Sequence, residues 1–486
     1  MNNNTIMLAT IIIYLGGMLS IGIYYSRKNT KQEDFLLGGR KIPGWALALS
    51  ERATGESVWM VLAASGFVYA KGVSSIILVI ASILGPSIGW SFLSKHMMKV
   101  SIENDALTVP AVLSNKFSEN AKTIRFLCGV LFSAMLTFYI AAQFSGAGKT
   151  LMKIFGVDPI KAMILVAVFT IIYAFLGGFF AVVWTDVVQA LLMVCLFIGL
   201  PIVAFIKVQA GGLSVSQALA DAGPAYNTIT QGASGFPIFL IIIANFSFIL
   251  SALGRPELHS RYMAVRNEKE QKTARNIAIG WSLFAYMGVF AIGILGIVLY
   301  GPGTITDREL LVPQMLTDLL PPWLAGVMLA AILAAMMSTA DSLLLVVTSS
   351  VSEDIVHAAL GKKLTEKQLV KLSRLVVIGS GLLGLVLGMT ANALVFTIIN
   401  WYTAGVACSF AAIILLTLFW KKLSGKAIVP MIICGFATTV IWMSTGLEKV
   451  ITSRFVVFAL NIVVGIVISL IFAKKNDKIN ETQAID

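Results

Sequence analysis

Long apolar runs separated by short polar loops fill almost the whole chain. Because a helix rises about 1.5 Å per residue, some 20 apolar residues are needed to cross the hydrocarbon of a bilayer. Thirteen runs of about this length predict membrane-crossing helices over residues 5–25, 44–70, 73–94, 124–152, 159–176, 181–207, 236–263, 276–300, 321–355, 375–389, 393–420, 427–444 and 455–473. The glycine pair Gly177-Gly178 predicts a tight turn between the fifth and the sixth of these helices.

Two of these runs are interrupted by residues that do not suit a continuous membrane helix. The run over 44–70 carries three charges within the stretch 49–57, and each charge near a helix centre costs about 2.5–3.5 kcal/mol unless it is paired or lines a wet cavity. The run over 236–263 contains Gly254-Arg255-Pro256. We expect both helices to be unwound at these places, since such gaps are the usual ion-binding device of secondary transporters.

Each interrupted run opens a series of five spans, and the two series define the predicted architecture. Since five is an odd number, the second series lies upside down relative to the first, which predicts an inverted repeat with a binding site at the midplane. The expected fold class is an all-α polytopic membrane protein of about thirteen helices with a ten-helix core. We expect a single transmembrane domain over 1–486, with an extra N-terminal helix at 5–25, repeats at 44–207 and 236–421, two C-terminal helices at 427–473 and a cytoplasmic tail at 474–486.

Composition supports the membrane assignment, and the placement of charge predicts an orientation. The chain is 58% hydrophobic and only 12% charged, outside the range of soluble domains. Its net charge of +12 is spread over short loops rather than gathered in one patch, which argues against a nucleic-acid partner. We expect the protein to lie in the cell membrane. By the positive-inside rule its N-terminus is then outside the cell and its C-terminus in the cytoplasm. The basic loops that carry this prediction are 27–41, 95–125, 261–275, 362–374 and 421–426, with the tail from 474.

A cluster of hydroxyl groups lies within the predicted span over 321–355. Ser338, Asp341 and Ser342 share one face of a helix, and Thr339 follows Ser338 at about 100°. Two readings of the hydroxyls remain open, because serine and threonine in membrane helices often bond only their own backbone or allow close packing. The intramembrane carboxylate beside them favours a function.

Other charges within the spans leave alternatives open. Asp186 either caps a helix N-terminus or takes part in ion or proton binding. Arg52 and Arg255 are positioned for structural salt bridges or for contact with a substrate, and their candidate carboxylate partners are Glu51, Glu56, Glu257 and Asp186. No loop carries a nucleophile paired with a base or a cluster of metal ligands, so no enzymatic activity is expected.

Several short motifs, taken together, resemble the sodium/solute symporter family, and most closely its sodium/proline branch. The resemblance extends over nearly the whole chain. The motifs are Gly38-Gly39-Arg40, the run 50–57 followed by Trp59, Gly177-Gly178 with Trp184-Thr185-Asp186, Gly254-Arg255-Pro256, and 333–339. The resemblance implies thirteen helices with an inverted-repeat core, in agreement with the hydropathy pattern.

The resemblance also implies the residues of the ion sites. A main Na⁺ site would use the backbone carbonyls of Ala53, Glu56 and Ala335 with the hydroxyls of Ser338 and Thr339. Asp186 matches an acidic position that some members use for a second cation or for coupling, and Asp341 and Ser342 are candidates for the same role.

The solute site is expected near the two interrupted helices, at Ser57, Gln143, Phe248, Ser251 and Ala252. The chain departs here from the resemblance. Phe248, Ala252 and Ala142 stand where proline carriers have larger aromatic residues, and Gly55 stands where they have an aspartate, with Glu56 beside it. The resemblance therefore implies a roomier and less aromatic pocket than that of proline carriers.

These features predict a sodium-coupled symporter that imports a small organic solute by alternating access. The solute is expected to be proline or a related zwitterion or carboxylate. The expected partners are the solute, Na⁺ and the lipid bilayer, with neither a nucleic acid nor an obligate protein partner. Two alternatives stay open: a proton-coupled symporter, in which Glu56, Asp186 and Asp341 could shuttle protons, and a solute sensor of transporter fold.

Overall fold

The computed structural model describes residues 3–26, 31–117, 119–390 and 395–483, with side chains up to residue 472. Throughout these ranges the regular secondary structure is helical. The predicted loop residues Arg27 and Lys28 and the predicted helix start at 393 lie outside the described residues.

The apolar runs form helices that are long enough to cross a membrane. These helices are Asn3–Tyr25, Gly44–Glu103, Ala121–Phe155, Pro159–Ala210, Glu268–Tyr300, Pro322–Ala359, Glu366–Thr390, Val395–Phe419, Gly425–Ser444 and Ser453–Phe472, together with the pair Phe236–Ala252 and Pro256–Ala264, which is bent by 42°. The second and the fourth are too long for one crossing, and each is interrupted near its middle. With these two counted twice and the bent pair counted once, the described part of the chain has thirteen segments long enough to cross a membrane. The predicted fold class is therefore confirmed.

The interruption of Pro159–Ala210 folds the chain back on itself. Tyr173 and Asp186 both reach the side chains around Asp341, the first directly and the second through two hydrogen-bonded side chains. A straight helix would separate these two residues by about 20 Å. The reversal occurs at Gly178, whose φ of 52° and ψ of −151° suit glycine alone.

The first broken helix, residues 44–71, breaks at the end of the predicted stretch 49–57. It consists of Gly44–Val58, a π-helical segment Trp59–Ala64 and Ser65–Lys71. The backbone leaves helical geometry at Ser57, with φ 20° and ψ −173°. The break therefore lies at the end of the predicted stretch 49–57, because the charges earlier in that stretch are paired by side chains and do not require the backbone to open.

The second broken helix, residues 236–264, opens close to the predicted place. Its helical pieces are Phe236–Phe246, Phe248–Ala252 and Pro256–Ala264. Gly254 lies in the gap against another helix, and a β-carbon added there would come within 2.0 Å of the Ala407 carbonyl. The gap therefore allows a close approach of backbones that a larger residue would prevent.

The helix with the predicted hydroxyl cluster, Pro322–Ser349, lies at the centre of the molecule and is called here the hydroxyl helix. The span that contains it is buried inside the protein, whereas most of Ser453–Phe472 faces outward. The N-terminal helix Asn3–Tyr25 packs against the hydroxyl helix, where Tyr14 Oη lies 3.7 Å from Met337 Sδ. The last helix continues to Gln483, so the predicted tail begins within a helix.

Arg261 corrects another prediction. The sequence pattern places it in a basic loop at the inner surface, but its side chain is fully buried in the core, within Pro256–Ala264. A buried arginine at the end of an apolar run has the same local sequence signature as one in a loop. The repeat boundaries 44–207 and 236–421 remain predictions.

Candidate ion and solute sites

The hydroxyl helix contacts the first broken helix through the two predicted alcohol groups. Ser338 Oγ donates to the Ala53 carbonyl at 3.0 Å, and Thr339 Oγ1 donates to the Thr54 carbonyl at 2.9 Å. Both hydroxyls also lie within reach of the Ala335 carbonyl, at 3.2 and 3.1 Å. All five residues are fully buried. Carbonyl and hydroxyl oxygens converging between two helices provide the donor set that replaces the hydration shell of a monovalent cation.

The structure brings together four of the five predicted ligands of this site. Glu56 is the exception: its carbonyl accepts the backbone N–H of Trp59, and among the described residues no hydrogen bond links it to Ser338 or Thr339. The Thr54 carbonyl, which the sequence did not identify, faces the site instead. The bonds between helices also show that the two hydroxyls do more than satisfy their own backbone.

A second cluster contains the predicted coupling residues Asp186, Asp341 and Ser342. Asp186 Oδ2 accepts from Arg261 Nη2 at 3.2 Å, and its Oδ1 is buried without a partner. Arg261 Nη2 also donates to Ser342 Oγ at 2.5 Å, and Ser342 Oγ donates to Asp341 Oδ1 at 3.1 Å. Asp341 Oδ2 accepts from Tyr173 Oη at 2.6 Å. Two carboxylates therefore face one guanidinium in a fully buried cluster.

Thr54 joins the two clusters. Its hydroxyl lies 2.8 Å from Ser342 Oγ, while its carbonyl accepts from Thr339. Asp186 also accepts a hydrogen bond from Ser50 Oγ at 2.6 Å. Ser50 lies one helical turn before Thr54 in the first broken helix. The first broken helix is thus tied to both sets of oxygens, so a displacement of this helix changes both.

The charges of the first broken helix form their own ion-pair network. Arg52 lies between two carboxylates: its Nη1 donates to Glu56 Oε1 at 2.6 Å, and its Nη2 is paired with Glu51 Oε1. Trp90 Nε1 donates to Glu51 Oε2 at 2.9 Å, and Tyr286 Oη donates to Glu56 Oε2. The predicted cost of these buried charges is offset by pairing and hydrogen bonding.

Arg255, in the gap of the second broken helix, forms an ion pair with Glu257 in the helix that follows. Arg255 Nε donates to Glu257 Oε1 at 2.7 Å, and Tyr402 Oη donates to the same carboxylate. Neither Arg52 nor Arg255 pairs with Asp186, whose partner is Arg261. Both arginines therefore form ion pairs within the protein, and both line a cavity between the broken helices.

A small cavity lies between the two broken helices. Three of the predicted solute residues, Phe248, Ser251 and Ala252, line it. The remaining lining residues are Arg52, Gly55, Glu56, Trp59, Ser82, Pro86, Arg255, Leu258 and Tyr286. The ring of Trp59 stacks on that of Phe248 with the centroids 4.8 Å apart, so an aromatic wall is present.

The other two predicted solute residues lie at the break of the first helix instead. Ser57 Oγ is 2.8 Å from Tyr139 Oη, and Gln143 Oε1 accepts the backbone N–H of Val58 at 3.1 Å. Gln143 Nε2 is buried without a partner. The five predicted residues therefore divide into a cavity group and a break group.

Comparison with known proteins relates this architecture to a transporter family. The profile of the Sodium:solute symporter family matches residues 35–435. The high-affinity proline transporter PutP of Bacillus subtilis (strain 168) is 32% identical over 434 residues, which is 89% of this chain and 91% of the relative. The osmoregulated proline transporter OpuE of the same organism is 30% identical over 466 residues, covering 94% and 93%.

A solved structure shares the fold. A Na⁺-coupled sialic acid symporter in a substrate-bound outward-open state superposes with a TM-score of 0.81 at 21% identity, covering 96% of this chain and 98% of its own. The match to the family profile over residues 35–435 includes both broken helices and the hydroxyl helix. This multi-pass membrane protein therefore belongs to the sodium:solute symporter family, a family of transporters rather than enzymes.

Proposed function

We propose that the protein is a sodium-coupled symporter that imports a small organic solute, such as proline or a related zwitterion or carboxylate. The observation that carries the proposal is the contact of Ser338 and Thr339 with carbonyls at the end of the first broken helix. Relatives named as proline transporters support this class of solute. We place the protein in the cell membrane, with its N-terminus outside and its C-terminus in the cytoplasm.

In this proposal the coupling Na⁺ binds to the carbonyls of Ala53, Thr54 and Ala335 and to the two hydroxyls. Each hydroxyl now donates to a carbonyl, and rotation about its C–O bond would direct a lone pair to the ion instead. The ion would bridge the first broken helix and the hydroxyl helix. Coupling follows if Na⁺ binds one arrangement of these two helices more tightly than the other.

The buried cluster of Asp186, Asp341 and Ser342 is proposed as a second cation or coupling site. Its two carboxylates and the single guanidinium of Arg261 leave one negative charge without a partner, and Asp186 Oδ1 has no hydrogen bond. Because Thr54 contacts both clusters, a cation at either one would act on the same helix.

The Na⁺ gradient supplies enough free energy for accumulation. A tenfold gradient contributes about 1.4 kcal/mol and a membrane potential of about 100 mV contributes about 2.3 kcal/mol per charge. Together they sustain a solute gradient of several hundred-fold for one Na⁺ per solute.

The test is Na⁺-dependent uptake of labelled proline by proteoliposomes. Ser338→Ala and Thr339→Ala should each raise the Na⁺ concentration needed for half-maximal uptake, with a smaller effect on solute affinity at saturating Na⁺. Thr170→Ala is a matched control, because this buried threonine also bonds the carbonyl four residues before it, whereas its hydroxyl makes no hydrogen bond to another helix within the described part of the chain. Unchanged Na⁺ dependence in both variants would remove the site assignment.

The proton-coupled alternative requires a different driving force. A pH step applied without Na⁺ should drive no uptake if Na⁺ is the coupling ion, and uptake under that condition would support proton coupling.

A further inference from the structure

A groove of about 400 Å³ lies beside the N-terminal helix Asn3–Tyr25, away from the ion and solute sites. This volume is within the range of ligand-binding pockets. The N-terminal helix forms one wall, and the end of Ala121–Phe155 and the start of Pro159–Ala210 contribute the others. Leu333 of the hydroxyl helix, which is fully buried, also lines the groove. The groove therefore extends from the surface of the protein to its central helix.

Most of the groove is apolar and open to the membrane. Leu8, Ile11 and Leu15 recur at helical spacing along the N-terminal helix, and Leu165 and Val166 of Pro159–Ala210 line the same groove. Leu8 is 47% exposed and Leu165 is 43% exposed. From residue 5 to residue 15 a helix rises about 15 Å, which is about half the hydrocarbon thickness of a bilayer. The groove therefore has the length and the polarity to hold one acyl chain of a single leaflet.

The polar side chains of the groove are those of Asn4, Thr5 and Lys161. All three lie in the first turn of their helices, which begin at residues 3 and 159. In the proposed topology both helices begin at the outer surface of the membrane, so the three side chains share the end of the groove at the level of the lipid headgroups. A lysine in this position lays its apolar stem along the groove and keeps its ammonium group at the interface.

The charge of Lys161 is not used within the protein. Lys149, which the proposed topology also places near the outer surface, pairs with Glu309 at 3.0 Å, whereas Lys161 is exposed and forms no ion pair in the described part of the chain. Asp158, the acidic residue nearest to it in the sequence, accepts two backbone N–H groups at the start of the helix. Because basic pockets between membrane helices bind anionic lipid headgroups, this lysine complements a phosphate at the end of the groove.

From this arrangement we infer that the groove binds one anionic phospholipid, of the phosphatidylglycerol type, from the outer leaflet. One acyl chain lies between the N-terminal helix and the helix Pro159–Ala210, and the phosphate is bound by Lys161 with Asn4 and Thr5 as further donors. The site is separate from the proposed ion and solute sites, and its occupation does not depend on the coupling ion.

The bound lipid should stabilise the attachment of the N-terminal helix to the core. This helix already packs closely on the hydroxyl helix, since a β-carbon added to Gly326 would come within 2.9 Å of Thr10 Oγ1, and Tyr14 contacts Met337. An acyl chain fills the gap beside these contacts and adds apolar contact to both helices. Lipid binding should therefore raise the temperature at which the protein unfolds.

The first test compares ligands that share only the headgroup or only the acyl chains. Purified full-length protein in a nonionic detergent is titrated with dioleoylphosphatidylglycerol, dioleoylphosphatidylcholine and glycerol phosphate, and thermal stability is measured. Phosphatidylglycerol should bind about fivefold more tightly than phosphatidylcholine, which carries no net charge. Equal affinities for the two lipids would overturn the role of Lys161, and glycerol phosphate that binds as tightly as phosphatidylglycerol would overturn the role of the groove.

The second test removes the charge at the headgroup. Lys161→Gln should weaken binding of phosphatidylglycerol by about fivefold, the contribution of one lysine near an anionic lipid surface, and should leave binding of phosphatidylcholine unchanged. Lys153→Gln is the matched control, because this exposed lysine in the last turn of Ala121–Phe155 does not line the groove. An equal loss in both variants would show a diffuse effect of surface charge and would refute the site.

The third test fills the groove. Leu165→Trp should weaken binding of phosphatidylglycerol by about tenfold or more, because the larger ring occupies the space of the acyl chain. Leu8→Trp is a second variant on the opposite wall, and Ile164→Trp, at a residue that is 41% exposed and outside the groove, is the control. The unfolding temperature without lipid shows that each variant is folded. Wild-type affinity in both groove variants would refute the inference and would leave the proposed sodium coupling unaffected.

Discussion

The C-terminal helix Ser453–Phe472 lies outside the ten-helix core, yet its Arg454 contacts Phe248, which lines the cavity between the broken helices. The guanidinium carbon of Arg454 lies 4.0 Å from the centroid of the Phe248 ring. The same guanidinium donates to Ser247 Oγ at 3.0 Å, to Asn400 Oδ1 at 2.7 Å and to the Ala244 carbonyl at 3.0 Å. Its side chain is 4% exposed. We predict that Arg454→Met lowers both stability and solute affinity.

The magnitude follows from the groups that lose a partner. Ser247 and Ala244 still bond each other at 2.8 Å after the change, but Asn400 Oδ1 loses its donor, at a cost of about 1–3 kcal/mol. Loss of a desolvated cation–π contact adds up to about 2 kcal/mol. The desolvation penalty of the buried guanidinium is removed at the same time, which offsets part of these two losses. We therefore expect a net loss of about 2 kcal/mol in stability, of which about 1 kcal/mol acts through Phe248 and weakens solute binding about fivefold.

The assay measures thermal unfolding and solute affinity at saturating Na⁺ in the same preparation. Lys426→Met is the control, because its ammonium lies 4.7 Å from the Phe472 ring, away from the cavity. Arg454→Met with wild-type affinity and stability would show that the C-terminal helix does not position the cavity wall.

Two further predictions concern the scaffold of the site. Arg52→Met should reduce the yield of folded protein, since removing the arginine leaves Glu51 and Glu56 as uncompensated buried charges at a cost of about 3–5 kcal/mol. Size-exclusion chromatography and thermal unfolding measure the effect, and a variant that folds normally would contradict the ion-pair network. Gly178→Ala should destabilise the protein by about 1–3 kcal/mol, because a φ of 52° strains any residue with a β-carbon. The control Gly280→Ala, with nothing within 4 Å of the added carbon, should unfold at the wild-type temperature. Equal melting temperatures of the two variants would contradict the strain at Gly178.

The hydropathy pattern predicted the helices well because a run of about 20 apolar residues has few alternatives to crossing a bilayer. The position of the first break was less predictable. Charges in the middle of a membrane helix are compatible with an unwound backbone or with paired side chains, and only the positions of Glu51, Arg52 and Glu56 in space distinguish the two. The sequence therefore located the interrupted stretch 49–57, and only the structure places the break at its last residue, Ser57.

The candidate sites were predicted in part. The structure brings Ser338 and Thr339 to the first broken helix, where the Thr54 carbonyl takes the place expected for that of Glu56, and the binding of an ion there stays a prediction. Arg261 was missed, because nothing in its neighbourhood in the sequence distinguishes it from the basic residues of the following loop.

The sequence by itself determined that the chain is an all-helical membrane protein, which spans are interrupted and which one carries the hydroxyl cluster, since these are properties of short consecutive stretches. Only the tertiary structure decided which charges pair, where the helix opens and which residues share a cavity. The partners in these contacts are far apart in the chain, with Arg261 and Asp186 separated by 75 residues and Arg454 and Ser247 by 207. Electrostatic and hydrogen-bonding energies depend on distance in space, and the spacing of residues along the chain does not fix that distance.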